Sequence, residues 1–343
     1  MSSTKFTYQT SFINKSVLVT GGAGFIGSNI VEALLLNGVK FVRIIDNLAT
    51  GSKKNIEHLI DIYPNIEFMY GDISNLDTCR MAVKGIDVIT HQAALGSVPR
   101  SILLPLQSHV ANVNGFLNIL IAANDEGIKR VVYASSSSVY GDNPTLPKTE
   151  DNTGSVLSPY AATKAIDEIY ANVFTRCYGM ECIGLRYFNI FGRRQDPNGA
   201  YAAVIPKFIS LIRSGKSPVI NGDGTFSRDF THVANAVHAN LLGLTTDNED
   251  CYGEAFNIGC EGQISLNELV RIINTIMGTN IMQTYGELRE GDISHSNANI
   301  IKAQQMLNYY PIMEFIDGME KLINEPNVRK QGRYLQHGFQ QVE

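Results

Sequence analysis

Apolar residues recur along the first half of the chain in short runs set between longer stretches of helical spacing. Runs at 17–19, 41–46, 66–70, 86–90, 130–134 and 182–186 have strand length and predict strands. Between them Ile26, Ile30, Val31, Leu34 and Leu35 mark one helix, which stops at Asn37-Gly38, and 113–126 and 160–178 mark two more. Strands that alternate with helices predict an α/β fold with a doubly wound parallel sheet. Ligands of such a sheet bind beyond the carboxyl ends of its strands. Gly21, Asp46, Asp72, Gln92, Ser136 and Tyr187 all fall at those ends.

The pattern changes near Asn189. Glycine and proline punctuation thickens, and short strands at 218–220 and 255–258 alternate with helices at 202–213, 266–277 and 300–307. This predicts a smaller, mixed α/β C-terminal region over 189–230 and 246–325 that covers a substrate. It is discontinuous, because 232–244 reads as another helix of the first domain, 1–188. The tail at 326–343 is expected to be at the surface or poorly ordered.

The first strand leads into its helix through Gly21-Gly-Ala-Gly24-Phe-Ile-Gly27. Such a turn leaves N–H groups at the helix N-terminus free to hold an anion. Gly21 allows the tight turn, Gly24 lets a pyrophosphate approach the backbone, and Gly27 lets helix pack on strand. Asp46 ends the second strand about 20 residues on, where an acid accepts from a ribose hydroxyl and repels a 2′-phosphate. The expected cofactor is therefore NAD rather than NADP.

With 343 residues, 44% of them hydrophobic and 18% charged, the chain has an ordinary globular composition. A net charge of -5 implies no polybasic surface for nucleic acid. The five cysteines, Cys79, Cys177, Cys182, Cys251 and Cys260, lack CxxC spacing and argue against both a disulfide framework and structural zinc. Residues 1–14 contain no apolar core of signal-peptide length, and no run approaches a membrane span. The expectation is a cytoplasmic protein without a membrane partner.

Candidate chemistry sits in Ser158-Pro-Tyr160-Ala-Ala-Thr-Lys164. Tyr and Lys four apart share one helix face. The ammonium of Lys164 favours the phenolate of Tyr160, which can then take a proton from a hydroxyl as general base. Beside a dinucleotide site, this is the equipment for oxidising an alcohol.

Taken together, Gly21 to Gly27, Asp46, Asp72, the serine run 135–138 and Tyr160/Lys164 resemble the extended short-chain dehydrogenase/reductase family over almost the whole chain. The resemblance implies a Rossmann sheet and makes Tyr160 the base, Lys164 the anchor of the nicotinamide ribose and Ser136 the partner of the reacting hydroxyl. It implies cofactor contacts at Gly21, Gly24, Phe25, Ile26, Gly27, Asp46, Asn47 and Gly51. It extends them to Asp72, Ile73, Gln92, Ala93, Ala94, Asn112, Tyr160, Lys164 and Tyr187. Dehydratases of the family carry an Asp-Glu pair after the serine. Here Ser137 and Ser138 stand in its place, which implies oxidation and re-reduction at a single carbon, the epimerase pattern.

Two further stretches, His91 to Ser101 and Phe188 to Lys207, resemble bacterial UDP-N-acetylglucosamine 4-epimerases of O-antigen and capsule synthesis. Asn221 to Phe230 and Arg289-Glu-Gly-Asp292 resemble nucleotide-diphosphate-binding segments. By that likeness Arg228 and Arg289 would pair with diphosphate oxygens and Asp292 with the uridine ribose. The remaining substrate contacts implied are Ser97, Ser137, Ser138, Asn189, Val204, Lys207, Val219, Asn221 and Ser296. In glucose-restricted relatives a tyrosine fills the position of Ser296, and the serine leaves room for an N-acetyl group. UDP-glucose or UDP-glucuronic acid epimerisation is the alternative on the same framework, and a non-catalytic NAD-binding regulator is the alternative of another class. The resemblance also implies a homodimer packed through helices 113–126 and 160–178.

Overall fold

The computed structural model describes residues 12–199, 202–287 and 295–325. A seven-stranded parallel sheet forms its centre. In chain order the strands are β1 (Ser16–Thr20), β2 (Phe41–Asp46), β3 (Ile66–Tyr70), β4 (Val88–His91), β5 (Arg130–Ser136), β6 (Glu181–Tyr187) and β7 (Ala255–Ile258). Across the sheet they run β7-β6-β5-β4-β1-β2-β3. The chain winds outward in both directions from the centre, so the switch point lies between β1 and β4. Register is set by pairs such as Val17 with Val42 and with Val88.

Both faces of the sheet are covered, which explains why its strands read as continuous apolar runs rather than alternating ones. In β1, Val17 and Val19 face a cluster containing Ile30 and Leu34 of α1 (Phe25–Leu36). Leu18 faces the other side, with Phe116, Ile119 and Leu120 of α2 (Gly115–Glu126) and Phe174 of α3 (Pro159–Tyr178). A third cluster lies in the second region. It unites Ile205, Phe208 and Ile209 of α4 (Val204–Arg213) with Leu269 and Ile273 of α6 (Leu266–Met277) and Met319 of α7 (Phe315–Asn324). The intervening helix α5 (Val233–Thr245) returns to pack on α1 and the sheet.

One assignment needs correction. The sequence groups strand 255–258 with the second region, whereas it forms the edge of the main sheet, Ala255 pairing with Gly184 and Ile258 with Tyr187. A four-residue apolar run carries no information about which sheet it joins. Long-range polar contacts make that choice. The Asn257 N–H donates to Glu150 (2.8 Å), its amide donates to Lys148 O (2.9 Å) and Asn299 O (3.0 Å), and its Oδ1 accepts from the Tyr140 hydroxyl (2.6 Å). Among the described residues no helix is long and apolar enough to cross a membrane.

Candidate active site

The glycine turn closes as Gly24 N donates to Gly21 O at 3.0 Å. Gly21 has φ +66°, and a Cβ there would fall 2.7 Å from the Ala93 backbone. At Gly27 an added Cβ would lie 2.2 Å from Gly21 O, so only glycine lets α1 start this close to β1. The first intrahelical bond is Ser28 N to Gly24 O (3.1 Å), which leaves the N–H groups of Phe25 and Ile26 ahead of it at the helix mouth.

That mouth opens on a cleft of about 870 Å³ lined by Gly21, Gly24, Phe25, Ile26 and Gly27, by Asp46 and Asn47, by Asp72 and Ile73, and by Gln92, Ala93 and Ala94. Its size suits a dinucleotide. Asp46 accepts from Ala23 N (3.0 Å) and Leu48 N (2.7 Å), and burial holds its carboxyl above the usual range despite those bonds. Asp72 is the reverse case. Burial acts to raise it, but bonds from Ser74 N (2.8 Å) and Asn47 Nδ2 (2.9 Å) leave it below its ordinary value. Backbone donors at a helix start with two acids at the rims fit NAD.

Of the expected cofactor residues, Gly51, Asn112 and Tyr187 are not part of this lining. Gly51 packs on the turn, where a Cβ would meet Ala23 O and Asp46 Oδ2 at 3.0 Å. Gln92 faces the cleft while its amide is fully engaged elsewhere. Its Oε1 accepts from the Tyr187 hydroxyl (3.0 Å), and its Nε2 donates to Thr90 Oγ1 and Asn240 Oδ1 (2.9 Å each). Asn240, on α5, also donates to the Tyr187 hydroxyl at 2.6 Å. Asn112 lies in a π-helical turn, Val110–Asn114, and is buried. It accepts from Leu95 N (2.7 Å) and donates to Thr163 Oγ1 (3.0 Å).

The start of α3 is built to hold Tyr160. Ser158 caps the helix by accepting from Ala161 N (3.1 Å), and Pro159 occupies the first turn, where its missing N–H costs nothing. The Tyr160 N–H donates to the buried Ser101 Oγ (3.0 Å), and the Tyr160 carbonyl accepts from Thr163 Oγ1 (2.7 Å). One turn on, Lys164 donates to Ala134 O and Asp167 Oδ2, both at 3.0 Å. The serines at the end of β5 divide. Ser135 donates to Glu168, which also holds Arg186 through two bonds (2.9 and 2.8 Å), so Ser135 belongs to a structural network. Ser136 is paired in register with Tyr187 and accepts from Ser138 N (3.2 Å). Ser137 is half-buried, and Ser138 Oγ is buried with no partner among the described residues.

Of the expected substrate residues, Asn189, Arg228 and Ser296 meet. Ser296 pairs with Arg228 in a short parallel bridge, Asp229 N donates to Ser296 O (2.8 Å), and Asn189 Nδ2 donates to Asp229 O (3.3 Å). Asp229 itself is fully buried and accepts from Cys260 N (3.0 Å) and Ala298 N (3.2 Å). Burial pushes its carboxyl up to about 6 against those bonds. Val219 and Asn221 lie in a two-stranded ribbon with Thr284–Gly286. Val204 opens α4, with Lys207 exposed one turn on. Ser97 caps the short helix Val98–Leu103 by accepting from Arg100 N (3.2 Å). Arg289 and Asp292 lie outside the described residues.

Sequence reasoning missed Ser101, Thr163, Asp167, Asp229 and Asn240. Only Ser158-Pro159 carried a readable local signal, that of a helix start. Ser101, Asp229 and Asn240 act through partners distant in sequence, whereas Thr163 and Asp167 meet Tyr160 and Lys164 one helical turn away and are marked by nothing but that spacing.

The fold and the cleft define an NAD-binding enzyme of the short-chain dehydrogenase type. Residues 17–259 match the model of the NAD dependent epimerase/dehydratase family, and the chain belongs to that family. A putative UDP-glucose 4-epimerase of Methanocaldococcus jannaschii is 38% identical, the match covering 90% of this chain and 97% of the relative. The structure of a UDP-N-acetylglucosamine 4-epimerase from Methanobrevibacter ruminantium M1, in complex with UDP-N-acetylmuramic acid, is 40% identical with a TM-score of 0.85, covering 90% of this chain and 97% of that one. A UDP-glucuronic acid 4-epimerase from Bacillus cereus, in complex with UDP-glucuronic acid and NAD, is 30% identical with a TM-score of 0.83, covering 90% and 98%.

Proposed function

We propose that this NAD-dependent UDP-sugar 4-epimerase interconverts UDP-N-acetylglucosamine and UDP-N-acetylgalactosamine. The observation that carries the sugar assignment is Ser296, 7% exposed and in register with Arg228. In this reading Arg228 pairs with diphosphate oxygens, so a small side chain beside it favours a sugar with a bulky C2 substituent. The name of the Methanobrevibacter relative supports the same choice.

In this reading Tyr160 takes the C4 hydroxyl proton as general base, and Ser136 holds that hydroxyl by a hydrogen bond. Lys164 stabilises the phenolate and anchors the cofactor ribose. Bound NAD supplies a reversible acceptor for the C4 hydride. Asn112, Ser101 and Thr163 fix the backbone around the base. Ser137 and Ser138 offer no acid/base pair for eliminating water. Arg228 with Asn189, and Arg289 with Asp292, would hold the nucleotide while the sugar turns over. Contacts from Ser97, Val204, Lys207, Val219 and Asn221 would complete the substrate site.

The decisive experiment incubates the purified protein with UDP-N-acetylglucosamine, adds no NAD, and follows C4 stereochemistry by proton NMR. UDP-N-acetylgalactosamine should form. Turnover confined to UDP-glucose, as the name of the Methanocaldococcus relative suggests, or to UDP-glucuronate would refute the sugar assignment.

The same reading includes a homodimer. Ile169 (63% exposed) and Val173 (41%) stand one helical turn apart on α3, one of the two helices through which the dimer is expected to pack. Light scattering after gel filtration should give about twice the mass of 37.7 kDa.

A further inference from the structure

Lys164 and Asp167 form an ion pair with side chains only 2% and 1% exposed. Lys164 uses two of its three N–H bonds, on Ala134 O and Asp167 Oδ2. Those two bonds fix the amine and leave one N–H for a ligand. Asp167 pays heavily for this position: its Oδ1 is buried with no partner among the described residues, whereas an aliphatic side chain would pack there without desolvating a charge. Burial pushes the Asp167 carboxyl up to about 6, against the pull of Lys164 and with the push of Glu168.

The other groups facing the pair do not replace it. Glu168 is matched by Arg186. Tyr133, on β5, is held well above its ordinary range by burial and by nearby acids, so it stays neutral. His91, on β4, is pushed down to about 3 by burial and by Lys164, so it is neutral as well. Asp167 is thus the counter-charge in direct contact that lets an ammonium sit in this interior.

We propose that Asp167 is a positioning residue for catalysis, acting through Lys164: it keeps the buried amine charged and aims its remaining N–H. The inference rests on the reading of Lys164 as the partner of Tyr160. Without Asp167 the amine sheds its proton more easily, because burial penalises an unpaired charge. The phenolate then loses its support as pH rises.

The test compares Asp167→Asn, Asp167→Glu and Lys164→Met. Asp167→Asn is close to isosteric, and thermal melting shows whether it folds. Its alkaline limb of kcat against pH should move down by about 1–3 units, with kcat falling more than KM changes. Asp167→Glu should recover part of that shift. An independent readout uses protein labelled with ¹³C,¹⁵N-lysine. The Lys164 side-chain resonance, assigned by its loss in Lys164→Met, should titrate at lower pH in Asp167→Asn. A limb and a resonance that titrate as in the parent would overturn the proposal, even if the variant melts earlier. Full turnover by Lys164→Met would instead overturn the reading of Lys164 on which the proposal rests.

Discussion

The cofactor cleft and the substrate side are built differently. The cleft is made of turns at successive strand ends. Gly21 to Gly27, Asp46, Asp72 and Gln92 to Ala94 each sit in a short segment at a strand end, and the parallel sheet sets those segments side by side. The proposed substrate side is made of crossings. Asn189, Arg228 with Asp229, Cys260 and Ser296 come from four stretches of chain, tied by a buried carboxylate and a two-residue bridge. A site assembled from local turns tolerates change elsewhere in the chain. A site assembled from crossings depends on every tie.

The sharpest way to break this comparison is at the junction. Tyr160→Phe should cost about 10²–10⁴-fold in kcat while leaving NAD retention and melting temperature unchanged. If turnover stays normal, the chemistry has been misplaced. Next comes Asp229→Ala, which orphans the N–H groups of Cys260 and Ala298. It should cost about 2–5 kcal/mol of stability, measured by urea unfolding, and should raise KM for the UDP-sugar with NAD still bound. Loss of NAD together with substrate affinity would show that the two sides are not separable.

Gly27→Val tests the opposite side. A Cβ 2.2 Å from Gly21 O must push α1 off β1, at about 1–3 kcal/mol. The variant should bind NAD far more weakly yet still bind UDP in calorimetry. The smallest effect is on pH. Burial pushes His91 down to about 3 and His232 and His238 to about 4, so all three are neutral in the fold. Their folded values lie below the unfolded value near 6.5. Their contribution is therefore complete above that pH and is lost as pH falls toward 4. Asp167 and Asp229, raised to about 6, take up protons more readily folded than unfolded and oppose the loss between 6 and 3.8. Among these five groups the three histidines outnumber the two acids, so their joint effect is a loss of stability as pH falls through this window. Asp229→Asn should steepen it, as urea midpoints at pH 4.5, 5.5 and 6.5 would show.

The same contrast explains what could be read in advance. Glycine spacing and an acid at a strand end are local, so the cleft was legible before any coordinates. Strand 255–258 was legible as a strand but not as a member of the main sheet, because its partner lies some seventy residues earlier and its amide ties reach Lys148, Glu150 and Asn299. Ser101 and Asn240 look like ordinary polar residues in sequence. Their importance comes from what they meet, the Tyr160 N–H and the Tyr187 hydroxyl. Asp167 was one helical turn from a residue already singled out and was still missed, because spacing alone does not tell a buried acid from a solvated one.

The return of α5 and β7 to the first sheet has an evolutionary consequence. The chain crosses from one region to the other and back, so the second region is an insertion rather than a transplantable cassette. A chimaera joined at residue 188 would import the donor's edge strand and the asparagine that holds Tyr187, and would have to rebuild the recipient's sheet around them. On the proposed reading of Ser296, new sugar preferences in such a chain would arise more readily by exchanging residues at single crossings than by recombining whole halves.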